Sequence, residues 1–98
     1  MESPAFFAEV KRRATRQCSA ADPLAEARRF LEASGLTGEG QMVRKSVEAL
    51  AASSGAFDEA DVHRLGSETL ALVSALADAR AKGRYPDSEW RAAATAGQ

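Results

Sequence analysis

Asp58-Glu59-Ala60-Asp61-Val62-His63-Arg64-Leu65-Gly66-Ser67-Glu68-Thr69-Leu70-Ala71-Leu72-Val73-Ser74-Ala75-Leu76-Ala77-Asp78-Ala79-Arg80-Ala81-Lys82 is the stretch that decides the fold. Val62, Leu65, Thr69, Leu72, Val73, Leu76 and Ala79 recur along it at the three- and four-residue intervals of one helical face, and Leu70 and Ala77 widen that face. Asp58 stands at the capping position. Glu59 and Asp61 follow in the first turn, where the helix dipole favours anions, and Arg80 and Lys82 close the last turn, where it favours cations. The pattern predicts one helix over 58–82, the central helix of the molecule.

The same punctuation organises the chain on either side. Ser3-Pro4 and Asp22-Pro23 open helices, because a side-chain oxygen caps a free N–H and the proline ring already holds the φ of a first helical residue. Gly35, Gly55 and Gly83 close them. Helices are therefore expected over about 4–18, 23–34, 40–53, 58–82 and 87–94, an all-α, compact antiparallel bundle of four helices plus a short C-terminal helix, in one domain spanning 1–98.

Projection at the helical period buries Phe6, Phe7, Val10, Ala14 and Cys18 in the first helix, and Leu24, Ala27, Phe30, Leu31 and Ser34 in the second. Val43, Val47, Leu50 and Ala51 form a narrower stripe in the third. Glu9, Arg12, Arg13 and Arg16 point away from the core, with Glu9 spaced to pair with Arg13. Gly35, Gly38 and Gly40 make the intervening joint the most flexible in the interior. Tyr85-Pro86-Asp87-Ser88 turns into the last helix, whose Trp90 lies across the bundle end, and the residues after it fray.

Of the 98 residues 45% are hydrophobic and 28% charged, with a net charge of −1, which favours neither disorder nor a membrane span and supplies no long-range field for polyanions. Cys18 is the one cysteine, so no internal disulfide forms, and the absence of a signal-peptide pattern makes the cytoplasm the expected location.

Little in the chain points to catalysis. His63 is the single histidine, which excludes a two-histidine metal site within one chain, and no Gly-x-Ser-x-Gly elbow presents a nucleophile. Asp58-Glu59-Asp61 and Asp87-Glu89 stand at helix starts, where capping accounts for them. The glycines of 35–40 lack the Gly-Lys-Ser/Thr close of a phosphate-binding loop. The chain reads as a non-enzyme with no metal and no cofactor.

Two short strings carry resemblances. His63-Arg64-Leu65-Gly66-Ser67 resembles the His-x-Leu-Lys-Gly-Ser of histidine phosphotransfer domains, small helical bundles with an exposed histidine. The family's lysine is absent and Gly66 comes one position early, which on a helix rotates all that follows by about 100°. Over 30–57, a helix ending at Ser34-Gly35-Leu36-Thr37 and a second containing Val43-Arg44-Lys45-Ser46-Val47-Glu48-Ala49-Leu50 resemble the helix-turn-helix of winged-helix regulators. Nothing is carried over from either family.

The leading expectation is a small non-catalytic protein acting through protein–protein contact, a homodimeric adaptor, regulatory or accessory subunit that meets its partner through Leu65, Leu70, Leu72, Leu76 and Trp90. The alternative is a nucleic-acid-binding regulator that meets phosphates through Arg12, Arg13, Arg16, Arg44 and Lys45 on the first and third helices.

Overall fold

Proline and glycine stand where the helices begin and end. A computed structural model describes residues 4–14, 21–35, 37–52 and 59–96. In it α1 spans Pro4–Arg13, α2 Pro23–Ser34, α3 Gly38–Ala52, α4 Ser67–Ala81 and α5 Asp87–Ala94, with a 3-10 helix at Glu59–Arg64. No strand occurs among the described residues, and the architecture is an all-α bundle. Principal extents are 28 × 26 × 26 Å. A 15-residue helix such as α3 or α4 is about 22 Å long, so each crosses nearly the whole body.

Local chemistry explains the ends. Asp22 caps α2, its Oδ1 accepting the Ala25 N–H at 3.1 Å, and Pro23 follows as the first helical residue. Gly83, at φ 65°, closes α4: its N–H reaches the Arg80 carbonyl at 3.1 Å while the Arg84 N–H reaches that of Ala79 at 3.0 Å. That pair of bonds reverses the chain and satisfies carbonyls the helix leaves free. The expected continuation of α1 through Thr15 to Cys18, and the Asp58 cap, lie outside the described residues.

The stretch read as one helix over 58–82 is divided. Its first part is the 3-10 helix, Leu65 and Gly66 leave helical geometry, and α4 begins at Ser67. The break has a tertiary cause. Gly66 is extended (φ −77°, ψ 175°), and its N–H donates to a carboxylate oxygen of Glu39 on α3, which also accepts the Thr69 hydroxyl. The Gly66 carbonyl lies 3.0 Å from the same Thr69 hydroxyl and shares its one proton with Glu39. A carboxylate from another helix thus occupies the positive end of α4. A Cβ on Gly66 would stand 3.0 Å from that Glu39 oxygen.

The centre of the bundle also shifts. α4 packs on α1, α2 and α3, but α3 packs on α2, α4, α5 and the 3-10 helix, so the helix with the narrower predicted stripe shares the middle. Small residues allow this. Gly40, Ser46 and Ala49 are buried, and the Ser46 hydroxyl donates to the Met42 carbonyl at 2.9 Å, so no polar atom is stranded there.

The joint before α3 is a close-packed corner rather than the loose hinge expected. Gly35 donates to the Leu31 carbonyl at 2.8 Å, and Thr37 caps α3 by accepting the Gly40 N–H at 2.9 Å. A Cβ on Gly40 would lie 1.9 Å from the Ser34 carbonyl oxygen, so glycine here serves helix approach rather than freedom.

Two apolar clusters fill the interior. The first gathers Phe6, Val10, Leu31, Met42, Val43, Ala49, Val62, Leu65 and Val73, with Phe7, Phe30, Leu70 and Ala96 half-buried against it. The second gathers Leu24, Ala27, Val47, Leu50, Leu72, Leu76, Ala79, Trp90 and Ala93, fringed by Phe7, Ala51, Tyr85 and Ala94.

Candidate contact surface

The apolar residues proposed from sequence as an interface separate into two groups. Leu65, Leu72, Leu76 and Trp90 are 7%, 5%, 0% and 0% exposed, so they belong to the chain's own core. Leu70 alone stays half-exposed, packed on the edge of the first cluster. The reason is that α4 buries Thr69, Ala71, Leu72, Val73, Leu76 and Ala79 toward three neighbouring helices. Most of its apolar surface is absorbed within one chain, and Glu68, Leu70 and Asp78 mark its outer side.

The cationic residues are also largely engaged. Arg12 and Arg13 both bind Glu9, the latter at the predicted i,i+4 spacing. Glu9 was expected to face solvent but is only 6% exposed, and the Arg12 guanidinium, then that of Arg13, holds its carboxyl below the usual range. The shared carboxylate offsets one of the two positive charges and leaves the cluster with one. Lys11 pairs with Asp78 of α4 at 2.8 Å. Arg16 lies outside the described residues.

Arg44 has a structural task that the sequence did not announce. Its guanidinium donates to the Ala94 carbonyl at 2.7 Å and the Ala96 carbonyl at 2.6 Å, fastening the end of α5 and the start of the 94–98 stretch that reads from sequence as frayed. Gly35 lies beside it, since a Cβ there would come within 3.0 Å of an Arg44 nitrogen. A cation thus sits at the negative end of a helix. Lys45 is exposed, in line with exposed Gln41 and Glu48 on the solvent side of α3.

At the opposite end of α5 the Tyr85 hydroxyl donates to Asp22 Oδ1 at 2.6 Å, and Arg84 donates to the Ala21 carbonyl at 3.2 Å. The Tyr85 hydroxyl, followed by the Ala25 N–H, keeps the Asp22 carboxyl below its ordinary value of 3.8. Burial, reinforced by Asp22, raises Tyr85 above 10.0. The Tyr85 ring meets Trp90 edge-on with centroids 5.8 Å apart, and the Arg80 guanidinium lies 5.9 Å from the Trp90 ring centre.

His63 is exposed on the 3-10 helix. Among the described residues no group of three or more His, Cys, Asp or Glu side chains is placed to hold a metal ion, and no helix is long and apolar enough to cross a membrane. Comparison with protein-family models, curated proteins and solved structures found no match to this chain.

Proposed function

We propose that this chain is a non-catalytic binding module of the cytoplasm that works through protein contact and associates with a second copy of itself, as an adaptor, regulatory or accessory subunit. The observation that carries this reading is the fringe of the first cluster, where Phe7, Phe30 and Leu70 remain half-exposed although the residues beneath them are closed. Large apolar groups left at a surface gain by being covered. The polar side chains with reactive groups in the same region, Glu9 and Thr69, are bound to neighbouring residues and hold the fold.

Leu70 is the side chain to test. Sedimentation of the full chain should give a mass above one protomer at tens of micromolar, and Leu70→Glu should reduce the association without loss of helix content. An unchanged mass for Leu70→Glu removes Leu70 from the contact.

One feature favours the nucleic-acid alternative. Only residues 35–37 separate α2 from α3, the turn length of a helix-turn-helix, and Gln41 and Lys45 are exposed on the second helix. Binding through phosphates would weaken steeply with salt. Retention of a DNA duplex that is independent of salt, or no retention at low salt, eliminates it.

A further inference from the structure

The seam Val62, Leu65, Thr69, Leu72, Leu76 and Ala79 keeps its three- and four-residue alternation straight across the break at Gly66. The backbone on either side is already close to helical. The Leu65 N–H donates to the Val62 carbonyl at 3.1 Å and the Leu70 N–H to the Gly66 carbonyl at 2.9 Å, while the Gly66 N–H turns away to Glu39. In a continuous α-helix it would donate to Val62. The 3-10 helix before the break has six residues, longer than such turns ordinarily run, because their hydrogen bonds are poorer than those of an α-helix. Gly66 itself, at φ −77° and ψ 175°, adopts a backbone open to any residue. Glycine there weakens the preference for helix, and it leaves room for the Glu39 oxygen, which a Cβ would meet at 3.0 Å. Sequence period and local backbone thus favour one helix, and a carboxylate from α3 holds it broken.

We propose that the 3-10 helix and α4 are a two-state segment: released from Glu39, residues 59–66 join α4 as one α-helix. α4 is held by α1, α2 and α3, so the front end is the part that moves. A continuous helix over 59–81 is about 34 Å long, more than the 28 Å of the largest extent of the molecule. Its start must therefore leave the body. That movement takes Val62 and Leu65, now 1% and 7% exposed, away from Phe6 and Val10 in the first cluster and uncovers apolar surface in the cluster that Leu70 borders. Burial of those two side chains and the bonds to Glu39 oppose it, so the broken form prevails in the free chain. The state of this segment sets how much of the first cluster is offered to a second copy. That consequence rests on the self-association reading, and the change of helix length does not.

Glu39→Ala alone unfastens the break, and adding Gly66→Ala supplies the helix preference that glycine lacks. In the full chain carrying both, the Cα chemical shifts at positions 62–66 should turn helical, the amide at position 66 should become protected from exchange, and the circular dichroism should gain the helix of residues 59–66. Gly66→Pro in place of Gly66→Ala should show none of these changes, because proline has no N–H to give Val62 and clashes inside a helix. Gly66→Ala alone, with Glu39 retained, should show the same shift change in a smaller fraction of molecules. Non-helical shifts at positions 62–66 in both alanine chains, or an equal helix gain in the proline chain, overturn the proposal. Helical shifts joined to a larger sedimenting mass at tens of micromolar, reversed by Leu70→Glu, support the switch and the contact together. Helical shifts with an unchanged mass support the switch and count against self-association.

Discussion

Among the described residues the two core clusters contain nine buried residues each, yet they meet water differently. The first is fringed by Phe7, Phe30 and Leu70, large side chains left half-exposed. The second is covered by α5, with Trp90 at 0% exposure and hydrogen bonds at both ends of that helix. Equal apolar content does not make equal surfaces. What covers a cluster decides whether it is available to another molecule: Phe7 borders both, Phe30 and Leu70 leave the first with an open edge, and Tyr85 on the second is tied to Asp22.

The largest effect that tests this contrast is removal of the cover. Trp90→Ala should cost about 3–5 kcal/mol in denaturant unfolding, the range for truncating a buried aromatic. Trp90→Phe should cost much less, because the buried Trp90 Nε1 has no hydrogen-bond partner among the described residues and phenylalanine removes that donor. If both substitutions are nearly neutral, the second cluster is not closed by α5.

Next in size is the contrast along α4. Leu76→Ala should lose about 2–5 kcal/mol, whereas Leu70→Ala, one and a half turns away and half-exposed, should lose about 1 kcal/mol or less, the ordinary scale of a surface change. Equal losses would mean that α4 has no outer side.

Glu39 and Arg44 each fasten a helix end from another helix, and their removal sharpens the same picture. Glu39→Ala frees the Gly66 N–H and the Thr69 hydroxyl, and Arg44→Ala frees two carbonyls of the α5 end. Each should cost about 1–3 kcal/mol, as for hydrogen bonds to a charged group. Hydrogen exchange should separate them. Glu39→Ala should speed exchange in the first turn of α4, and Arg44→Ala in the last turn of α5.

These two residues also mark what the sequence could and could not reveal. The ends of α2 and α5 were legible at Asp22-Pro23 and Pro86-Asp87, because caps and proline act within one turn of the chain. The stripes that bury Phe6, Val10, Leu24, Ala27 and Leu31 were legible too, since amphipathic period reflects the core directly. The break at Gly66 was hidden because its cause, the Glu39 carboxylate, is 27 positions away. Periodicity marked Leu72, Leu76 and Trp90 as apolar without saying whether their cover came from this chain or another. Arg44 read as a free cation because its partners are backbone carbonyls, which no side-chain pattern displays. Of the proposed contact residues, Leu70 keeps an open side.

The smallest effect is the pH response of the α5 fastening. Asp22 has a lowered carboxyl, so its contribution is complete above its ordinary value of 3.8 and lost as pH falls through the lower folded value. Tyr85 is raised, so its contribution is complete below 10.0 and lost as pH rises through the higher folded value. Tyr85→Phe should flatten the alkaline arm of a stability–pH curve and reduce the acid arm. Unchanged curves would detach the Tyr85–Asp22 contact from the stability of the second cluster.

Acrylamide quenching of Trp90, the single tryptophan of the chain, tests the account most directly when it is measured at a concentration where sedimentation gives one protomer. A self-sealed second cluster predicts weak quenching and blue-shifted emission in the single chain. Strong quenching with red-shifted emission, becoming shielded only when a second chain binds, would contradict it.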